Sequence, residues 1–482
     1  MKRDWRNFTM NKSRFETRIQ ELKYQVLKEV AKEAWQGDLV ENVLDIPKKI
    51  LPGKIPTMRC CVYKERAIIQ ERVKLAMGGN RANPNIIEVI DIACDECPMG
   101  GYEVTNSCRG CLVQRCKNAC PKDAIYFDGN HQAHIDKNKC VNCGACAKAC
   151  QYTAIANRKR PCENACAVKA IEPNEDQAAR IDPEKCINCG ACISQCPFGA
   201  IMDKSYILDA IDYILKSENN TNFKVYALLA PAIADNFRDV KLGQIVTGLK
   251  KLGFYDVIEV AKGADIVAYN EAKELDEKGF LLSSCCPAFV AYVEKYFPQL
   301  KDNISHNLSP MGAIARKLKE EDDDCSIVFI GPCTAKKAEI MKDSVKNYVD
   351  VALTFEELQA LFDSKDIDLE KLEETPIDQA TYFGRVFARS GGLTEAMAQG
   401  LKELNSQLEF KPETCNGIEM CRVALLKKDK NLLQGNFVEG MACNGGCIGG
   451  AGNLIKFGIK KENVDSYAKA SSIETISKSV NE

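Results

Sequence analysis

Residues 140–150 read CVNCGACAKAC and residues 186–196 read CINCGACISQC. In each stretch the cysteines follow the spacing C-x2-C-x2-C-x3-C: Cys140, Cys143, Cys146 and Cys150, then Cys186, Cys189, Cys192 and Cys196, with Pro197 behind the last. Three thiolates two residues apart wrap one face of a 4Fe–4S cubane. The fourth points away and reaches a neighbouring cluster, so two such runs close two clusters reciprocally. Zinc knuckles use separated C-x2-C pairs, and the triple spacing argues against them.

This is the cysteine run of bacterial ferredoxins, and the sequence around it repeats. Residues 116–154 and 162–201 are two copies of a unit of about 40 residues, each ending in a cysteine triad and an Ala-Ile strand, which reads as an internal duplication. Cys108, Cys111, Cys116 and Cys120 form a looser copy, C-x2-C-x4-C-x3-C, followed by Pro121. Cys94, Cys97, Cys162 and Cys166 bring the set to sixteen thiols, enough for four cubanes, with two as the minimum. Spacing leaves the pairing of the outer ligands open. Cys60 and Cys61 are left over and read as packing residues.

The rest of the composition fits a redox protein with a core of its own. The chain has 482 residues, 45% hydrophobic and 27% charged, with a net charge of −2, so nothing marks it as a nucleic-acid binder. The start, Met1 to Met10, is polar, no apolar run is long enough to span a membrane, and acids interrupt the early basic residues. A cytoplasmic protein is the expectation. Eighteen of the 26 cysteines precede residue 200, a load better explained by metal than by disulfides in a chain of this length. The three histidines, His131, His134 and His306, read as surface or polar-loop residues.

Four regions follow. Residues 1–90 form a helical N-terminal region: Ile19, Leu22, Val26, Leu27, Val30 and Ala34 recur at helical spacing, a stripe read as core, and a second helix covers Glu65 to Met77. Residues 91–203 form a ferredoxin-like multi-cluster domain. Residues 204–222 are a linker, with a helix from Tyr206 to Lys216 and the turn-rich SENNTN at 217–222. Residues 223–482 alternate strands (Phe223–Leu229, Tyr255–Val260, Phe280–Leu282, Ser326–Ile330) with a helix at Gln244–Leu252, as an α/β domain does, and such domains place their sites in loops at strand C-termini. The fold class is thus mixed: ferredoxin-like 4Fe–4S domains, a helical N-terminal segment and an α/β catalytic domain.

Three loops carry the chemistry of that last domain: Leu282 to Phe289 (LSSCCPAF), Ile330 to Glu339 (IGPCTAKKAE) and Glu439 to Gly452 (EGMACNGGCIGGAG). Cys286, Cys333, Cys443 and Cys447 supply four thiolates, which suits one more cubane. Neighbouring side chains diverge, so only one of Cys285 and Cys286 is expected to ligate it. The glycines around Cys447 let backbone approach a bulky inorganic group. Lys336 would ordinarily be a solvated surface lysine, but its place inside a cysteine loop argues otherwise.

These loops resemble the three signature segments of the iron-only (FeFe) hydrogenases, TSCCPxW, PCxxKxxE and ExMxCxxGCxxG, in the correct order over roughly residues 223–460. The resemblance implies an H-cluster, a 4Fe–4S cubane bridged through one cysteine to a di-iron azadithiolate unit with CO and cyanide ligands. Carried over by position, Cys286, Cys333, Cys443 and Cys447 hold the cubane, and Cys447 bridges. Cys285 matches the proton-donating thiol, Lys336 the lysine that binds a cyanide, and Glu339 the glutamate of the second motif. Glu271 and Glu274 fall in the EEATEL-like stretch, and with Ser305 they match proton-relay positions. Pro231 and Ala232 match a pocket segment after Ala230, and Met441 the methionine of the third motif.

Departures from the pattern are equally specific. Ala288-Phe289 replaces Gly-Trp, Gly331 stands where well-studied members have methionine, and Cys415 and Cys421 form an additional C-x5-C pair. They resemble the group B branch. The resemblance implies reversible reduction of protons to H2 in anaerobic hydrogen metabolism, with electrons from ferredoxin and cofactor insertion by maturation proteins; it leaves the direction of catalysis and the oligomeric state open. Three rivals compete: a hydrogenase-like iron–sulfur assembly protein without the di-iron unit, an H2 sensor, for whose signalling domain residues 460–482 are too short, and a plain electron-transfer subunit. Cys285, Lys336 and Glu339 favour the enzyme.

Overall fold

The computed structural model describes residues 15–95, 97 and 100–481. The reading of Met1 to Met10 lies outside them. Among the described residues no helix is long and apolar enough to cross a membrane.

The first long helix, Arg18–Gln36, starts where the Thr17 hydroxyl accepts from the Gln20 amide at 3.1 Å, and it ends at Gly37, whose φ of 82° suits glycine. Its apolar face, Leu22, Val26, Leu27 and Val30, is fully shielded from water. That face packs against the helix Phe355–Ser364 of the catalytic half, where Trp35 Nε1 donates to Ser364 Oγ at 3.0 Å. The helix Val62–Ala76 follows. Two boundaries differ from those read in the sequence. Ile87–Val89 is a strand, paired antiparallel with Ile201–Asp203, so the all-helical region ends before residue 90. Residues 204–222 do not act as a spacer. The helix Ile207–Lys216 buries Ile207, Ala210, Ile211 and Ile214 in the same core as the strand Val225–Leu229. Its 3.6-residue apolar periodicity needs a partner surface, and the catalytic core provides it.

The cluster region is built from short antiparallel strand pairs: the hairpins Ile125–Phe127 with Ala133–Ile135 and Ile171–Pro173 with Ala179–Ile181, and the long-range pair Gly101–Val104 with Ile155–Arg158. The first two occupy equivalent places in the duplicated units.

The catalytic half has two parallel sheets. One has the order Asp256–Glu259, Val225–Leu229, Ser326–Gly331, Val351–Thr354. The other has the order Leu281–Leu282, Phe437–Met441, Pro412–Asn416. Val351–Thr354, Pro412–Asn416 and Phe437–Met441 were not legible as strands in the sequence. They are short, and the last two carry charge or glycine, so no period-2 pattern sets them apart.

A buried ion network ties the three layers together. Lys23 reaches Asp203 at 2.6 Å and Glu356 at 2.5 Å. Lys337, fully buried, reaches Asp203 and Glu357 at 2.8 Å each. Burial alone would raise the Asp203 carboxyl, but Lys23 and Lys337 outweigh it and hold it well below the usual carboxylate range. Lys337→Met removes a counter-charge from two buried carboxylates. It is expected to destabilise the protein by roughly 3–5 kcal/mol in chemical denaturation. Because the folded pKa of Asp203 is depressed, its contribution is present above the unfolded value of about 3.9 and disappears as pH falls below it. Unchanged stability in Lys337→Met would show the network to be incidental.

Candidate active site

Four strands of the catalytic half end on one cavity. Ala230-Pro231-Ala232 follows Val225–Leu229, Cys285 and Cys286 follow Leu281–Leu282, Cys333 follows Ser326–Gly331, and Cys443 and Cys447 follow Phe437–Met441. Within each of the two sheets parallel strands deliver the loops after them to one edge, and the loops of both sheets line the same cavity, which brings residues more than 150 positions apart together.

The cavity has a volume of about 90 Å³. Cys285, Cys286, Cys333, Cys443 and Cys447 all line it, together with Pro231, Ala232, Met311, Phe329 and Met441. Lys336 is its charged lining residue. Glycine is required at two points. A Cβ on Gly440 would lie 2.3 Å from the Phe289 ring, and one on Gly446, which has a φ of +83°, would lie 2.6 Å from the Ser390 amide. Phe289, the departure from Gly-Trp, is thus seated directly on the third-motif strand.

The donor set fits an inorganic cage. Four soft thiols face a void from three sides, and among the described residues no three His, Cys, Asp or Glu side chains close on a single point as ligands of one ion do. The loops behind the thiols are fixed by side-chain amides. Asn453 Nδ2 donates to the Cys447 and Ile448 carbonyls at 3.1 and 2.7 Å, and Asn416 Oδ1 accepts from the Gly445 amide at 2.5 Å. Glu439 is fully buried and accepts from the amides of Gly391 and Thr394 at 2.7 and 2.8 Å.

Lys336 is 8% exposed, which excludes the solvated reading. Its ammonium donates to Ser309 Oγ at 2.7 Å and Glu339 Oε2 at 2.6 Å. Glu339 therefore acts on the lysine, not on the cavity. Ser309 was missed in the sequence: Ser-Pro signals a helix N-cap, which it is for Pro310–Glu321, but nothing local announces its bond to Lys336.

Cys285 sits between this cavity and a line of polar groups leading outward. Burial first, then Glu271, raises its thiol well above the ordinary value, so it is protonated at neutral pH. Glu271 is fully buried; its Oε1 accepts from the Ser284 amide and hydroxyl at 3.0 and 2.9 Å, and its Oε2 has no partner. Burial pushes its pKa up to about 7, with Ser284 and Ser305 opposing. Ser305 Oγ donates to Glu274 Oε2 at 2.9 Å. Glu274, at the outer end, binds Lys278 and Asn307 at 2.7 and 3.0 Å. Burial would raise it too, but Lys278, Ser305 and the His306 amide hold its carboxyl below the usual value. Glu271, Glu274 and Ser305 are thus brought together, and Ser284 joins them.

The accessory cysteines sort into four quartets, which spacing had left open. Cys116 faces Cys111 and Cys150, with Cys108 in the same small core. Cys120, Cys140, Cys143 and Cys146 line a second cavity. Cys162 faces Cys94 and Cys196, and Cys97 faces the same pair. Cys186, Cys189 and Cys192 face Cys166. In every run the fourth cysteine joins the neighbouring set. Backbone amides donate to thiols at equivalent places in the duplicated units: Ala124 to Cys120, Ala170 to Cys166 and Ala200 to Cys196, at 3.2–3.3 Å. The last quartet adjoins the main cavity. Cys189 faces Cys333 and Cys443, and Thr334 Oγ1 donates to the Asn188 carbonyl at 2.8 Å.

The leftover cysteines divide. Cys60 is exposed, and Cys61 caps the helix Val62–Ala76 by accepting from the Lys64 amide at 3.5 Å, so neither is a core packing residue. Cys415 and Cys421 are buried beside one another behind the strand of Met441. His131 and His306 are exposed, and His134 pairs with Asp128 at 2.9 Å.

Known proteins match these units. Residues 223–451 match the family model of the iron only hydrogenase large subunit, C-terminal domain; residues 179–202 match a 4Fe-4S binding domain, and residues 107–154 a 4Fe-4S dicluster domain. Iron hydrogenase 1 of Clostridium pasteurianum is 30% identical over 275 residues, 45% of this chain and 48% of that protein, so the match spans about half of the relative. The cytosolic Fe-S cluster assembly factor NAR1 of Kluyveromyces lactis is 34% identical over 93 residues, 19% of this chain and 20% of that one. A solved FeFe-hydrogenase, HydA(deltaEFG), superposes with a TM-score of 0.49 at 21% identity, covering 57% of this chain and 92% of that one.

The raised pKa of Glu271 has a measurable consequence. The unfolded glutamate ionises near 4.3 and the folded one near 7, so wild-type stability falls as pH rises through that window. Glu271→Gln should remove this loss. The stability difference between variant and wild type, measured by urea denaturation, is expected to move in the variant's favour between about pH 5 and about pH 8. A difference independent of pH would mean that the carboxyl is ionised in the folded protein.

Proposed function

Starting from an iron-only hydrogenase-like protein in which ferredoxin-like 4Fe-4S domains precede the hydrogenase domain, we propose that this chain is an FeFe hydrogenase catalysing 2 H+ + 2 e− ⇌ H2. The observation that supports it most is the convergence of Cys286, Cys333, Cys443 and Cys447 on one apolar cavity, with a fifth thiol, Cys285, and the cation Lys336 also lining it. Four thiols alone would hold a cubane. The additional thiol and the anchored ammonium are what gas chemistry at an adjoining di-iron unit calls for.

When bound, an H-cluster would supply the metal chemistry that joins protons and electrons. Cys286, Cys333, Cys443 and Cys447 would hold it, and Lys336, fixed by Ser309 and Glu339, would offer its remaining N–H to an anionic ligand. Met441 and Met311 close the apolar wall and exclude water. Protons enter at Glu274 and pass by Ser305 to Glu271, whose pKa near 7 lets it both take and release a proton at neutral pH. Ser284 orients that carboxyl, and Cys285 holds the proton at the cavity as a neutral thiol. Cys166, Cys186, Cys189 and Cys192 would hold the 4Fe–4S cluster that supplies electrons beside the cavity, where Cys189 faces Cys333 and Cys443. We further assign four accessory 4Fe–4S clusters, ferredoxin as electron partner, a cytoplasmic location, cofactor insertion by maturation proteins, and group B character on the basis of Phe289, Gly331 and the Cys415–Cys421 pair.

A second reading, iron–sulfur assembly without a di-iron unit, is favoured by the stretch similar to the NAR1 factor. Infrared spectroscopy after maturation with the di-iron cofactor separates the two. CO and cyanide bands are expected for the enzyme, and their absence after competent maturation supports the assembly reading. In the matured protein, Cys285→Ala should keep its iron while H2 turnover falls roughly 10²-fold, the usual weight of an acid–base group. Unchanged turnover would remove Cys285 from the proton path.

A further inference from the structure

Two arginines, Arg72 on the helix Val62–Ala76 and Arg160 in the cluster region, are buried and keep N–H groups without acceptors. Arg72 is 3% exposed and Arg160 is 2% exposed. Among the described residues six buried side-chain polar atoms have no hydrogen-bond partner, and three of them are Arg72 Nε, Arg160 Nε and Arg160 Nη1. Burying a guanidinium without a counter-charge is strongly unfavourable, so these N–H groups imply an anion that the polypeptide does not provide.

Both arginines border the same quartet. Arg72 Nη2 donates to the Gly199 carbonyl at 2.9 Å, and the next residue's amide donates to Cys196 Sγ at 3.3 Å. Arg72 and Cys196 line one cavity. The charged groups facing Arg72 are Arg59 and Cys196, with no carboxylate among them. Burial brings its pKa down only to about 10, so it stays cationic at neutral pH. Arg160 precedes the helix Pro161–Ala165, which carries Cys162, and it faces Cys97. Its Nη2 donates to the Gln177 carbonyl, and two residues on, the Ala179 amide donates to Cys94 Sγ at 3.3 Å. The nearest carboxylate, Glu163, is 3.9 Å from Arg160 Nε, beyond hydrogen-bond distance.

We propose that Arg72 and Arg160 donate N–H hydrogen bonds to the 4Fe–4S cluster held by Cys94, Cys97, Cys162 and Cys196, and that their charges make it the highest-potential cubane among the accessory clusters. The proposal rests on reading the quartets as 4Fe–4S sites. A thiolate-ligated cubane is anionic, and one electron from a low-potential carrier makes it one charge more negative with no bond made or broken. Burial of Cys94, Cys162 and Cys196 by itself disfavours that extra charge. Two guanidiniums beside the quartet act in the opposite sense and more strongly, since low dielectric magnifies them. The other quartets lack this feature among the described residues. Lys295, beside Cys186, already donates to the Pro183 and Cys186 carbonyls at 2.9 and 2.8 Å, and Cys111 and Cys143 are exposed. With the highest potential, the arginine-flanked station is where a resting electron stays, next in line to the quartet that adjoins the main cavity. Arg72 and Arg160 are positioning residues that act through the cluster.

The test is a redox titration followed by electron paramagnetic resonance on the full-length protein with its accessory clusters loaded and the di-iron unit omitted. Cys94→Ser identifies the signal of this quartet. In wild type that signal should have the highest midpoint of the accessory cubanes. Arg72→Gln and Arg160→Gln should each keep iron and sulfide content while lowering its reduction equilibrium constant about tenfold, a shift of about 59 mV for one electron. Arg72→Lys should recover part of the shift, and Arg158→Gln, at the exposed end of the strand Ile155–Arg158, should cause none. Iron-replete glutamine variants with unmoved midpoints overturn the proposal, and so does a wild-type signal that is not the highest. Should a glutamine variant lose iron, the wild-type ranking and the lysine variant decide. Wild-type iron too low to fill the quartets would instead overturn the cluster reading itself.

Discussion

Parallel strands impose a single constraint from which the site follows: whatever comes after each strand emerges at the same edge. Leu281–Leu282 and Phe437–Met441 in one sheet and Ser326–Gly331 in the other each lead into a cysteine loop, and the three loops meet at one cavity. Small residues then set the approach. Gly440 admits the Phe289 ring, and Gly446 lets its loop run against the backbone at Ser390. The family match over residues 223–451 covers the segment on which this constraint acts.

Adjacent residues serve opposite sides of that edge. Lys336 turns into the cavity, where Ser309 and Glu339 hold it, whereas Lys337 turns away and joins Asp203 and Glu357. One short helix, Thr334–Glu339, therefore couples the cavity to the docking of the cluster region, and Thr334 adds a bond to the Asn188 carbonyl beside Cys189. Proximity between the last accessory quartet and the main cavity is thereby fixed by buried charge as well as by apolar packing. The charges are stable where they are because each is paired several times over.

Two rows of side chains adjoin the cavity and differ in chemistry. One is a row of carboxyls and hydroxyls, Glu274, Ser305, Glu271 and Ser284, of which Glu271 is the most deeply buried. The other is built of thiols with backbone amides donating to them. Keeping the two apart lets burial tune each separately: it raises Glu271 to a working pKa, and it leaves Arg72 and Arg160 demanding an anion.

Much was legible in the sequence because ligand spacing is local. The two C-x2-C-x2-C-x3-C runs, the duplication, the three cysteine loops and the helices at 18–36 and 207–216 all follow from short-range pattern. Ser284, Ser309, the strand Pro412–Asn416 and the capping role of Cys61 were not visible. A serine, a three-strand edge and a half-exposed thiol look alike in many contexts, and only their neighbours distinguish them. The amino-acid order alone determined which thiols stand at the spacing of 4Fe–4S ligands. Tertiary structure alone decided which cysteines lie beside one another, that residues 204–222 pack into the core instead of spacing domains apart, and which buried cations keep unpaired N–H groups. Those outcomes depend on contacts between residues far apart in the chain, and no local periodicity encodes the distance between two side chains that meet only after folding.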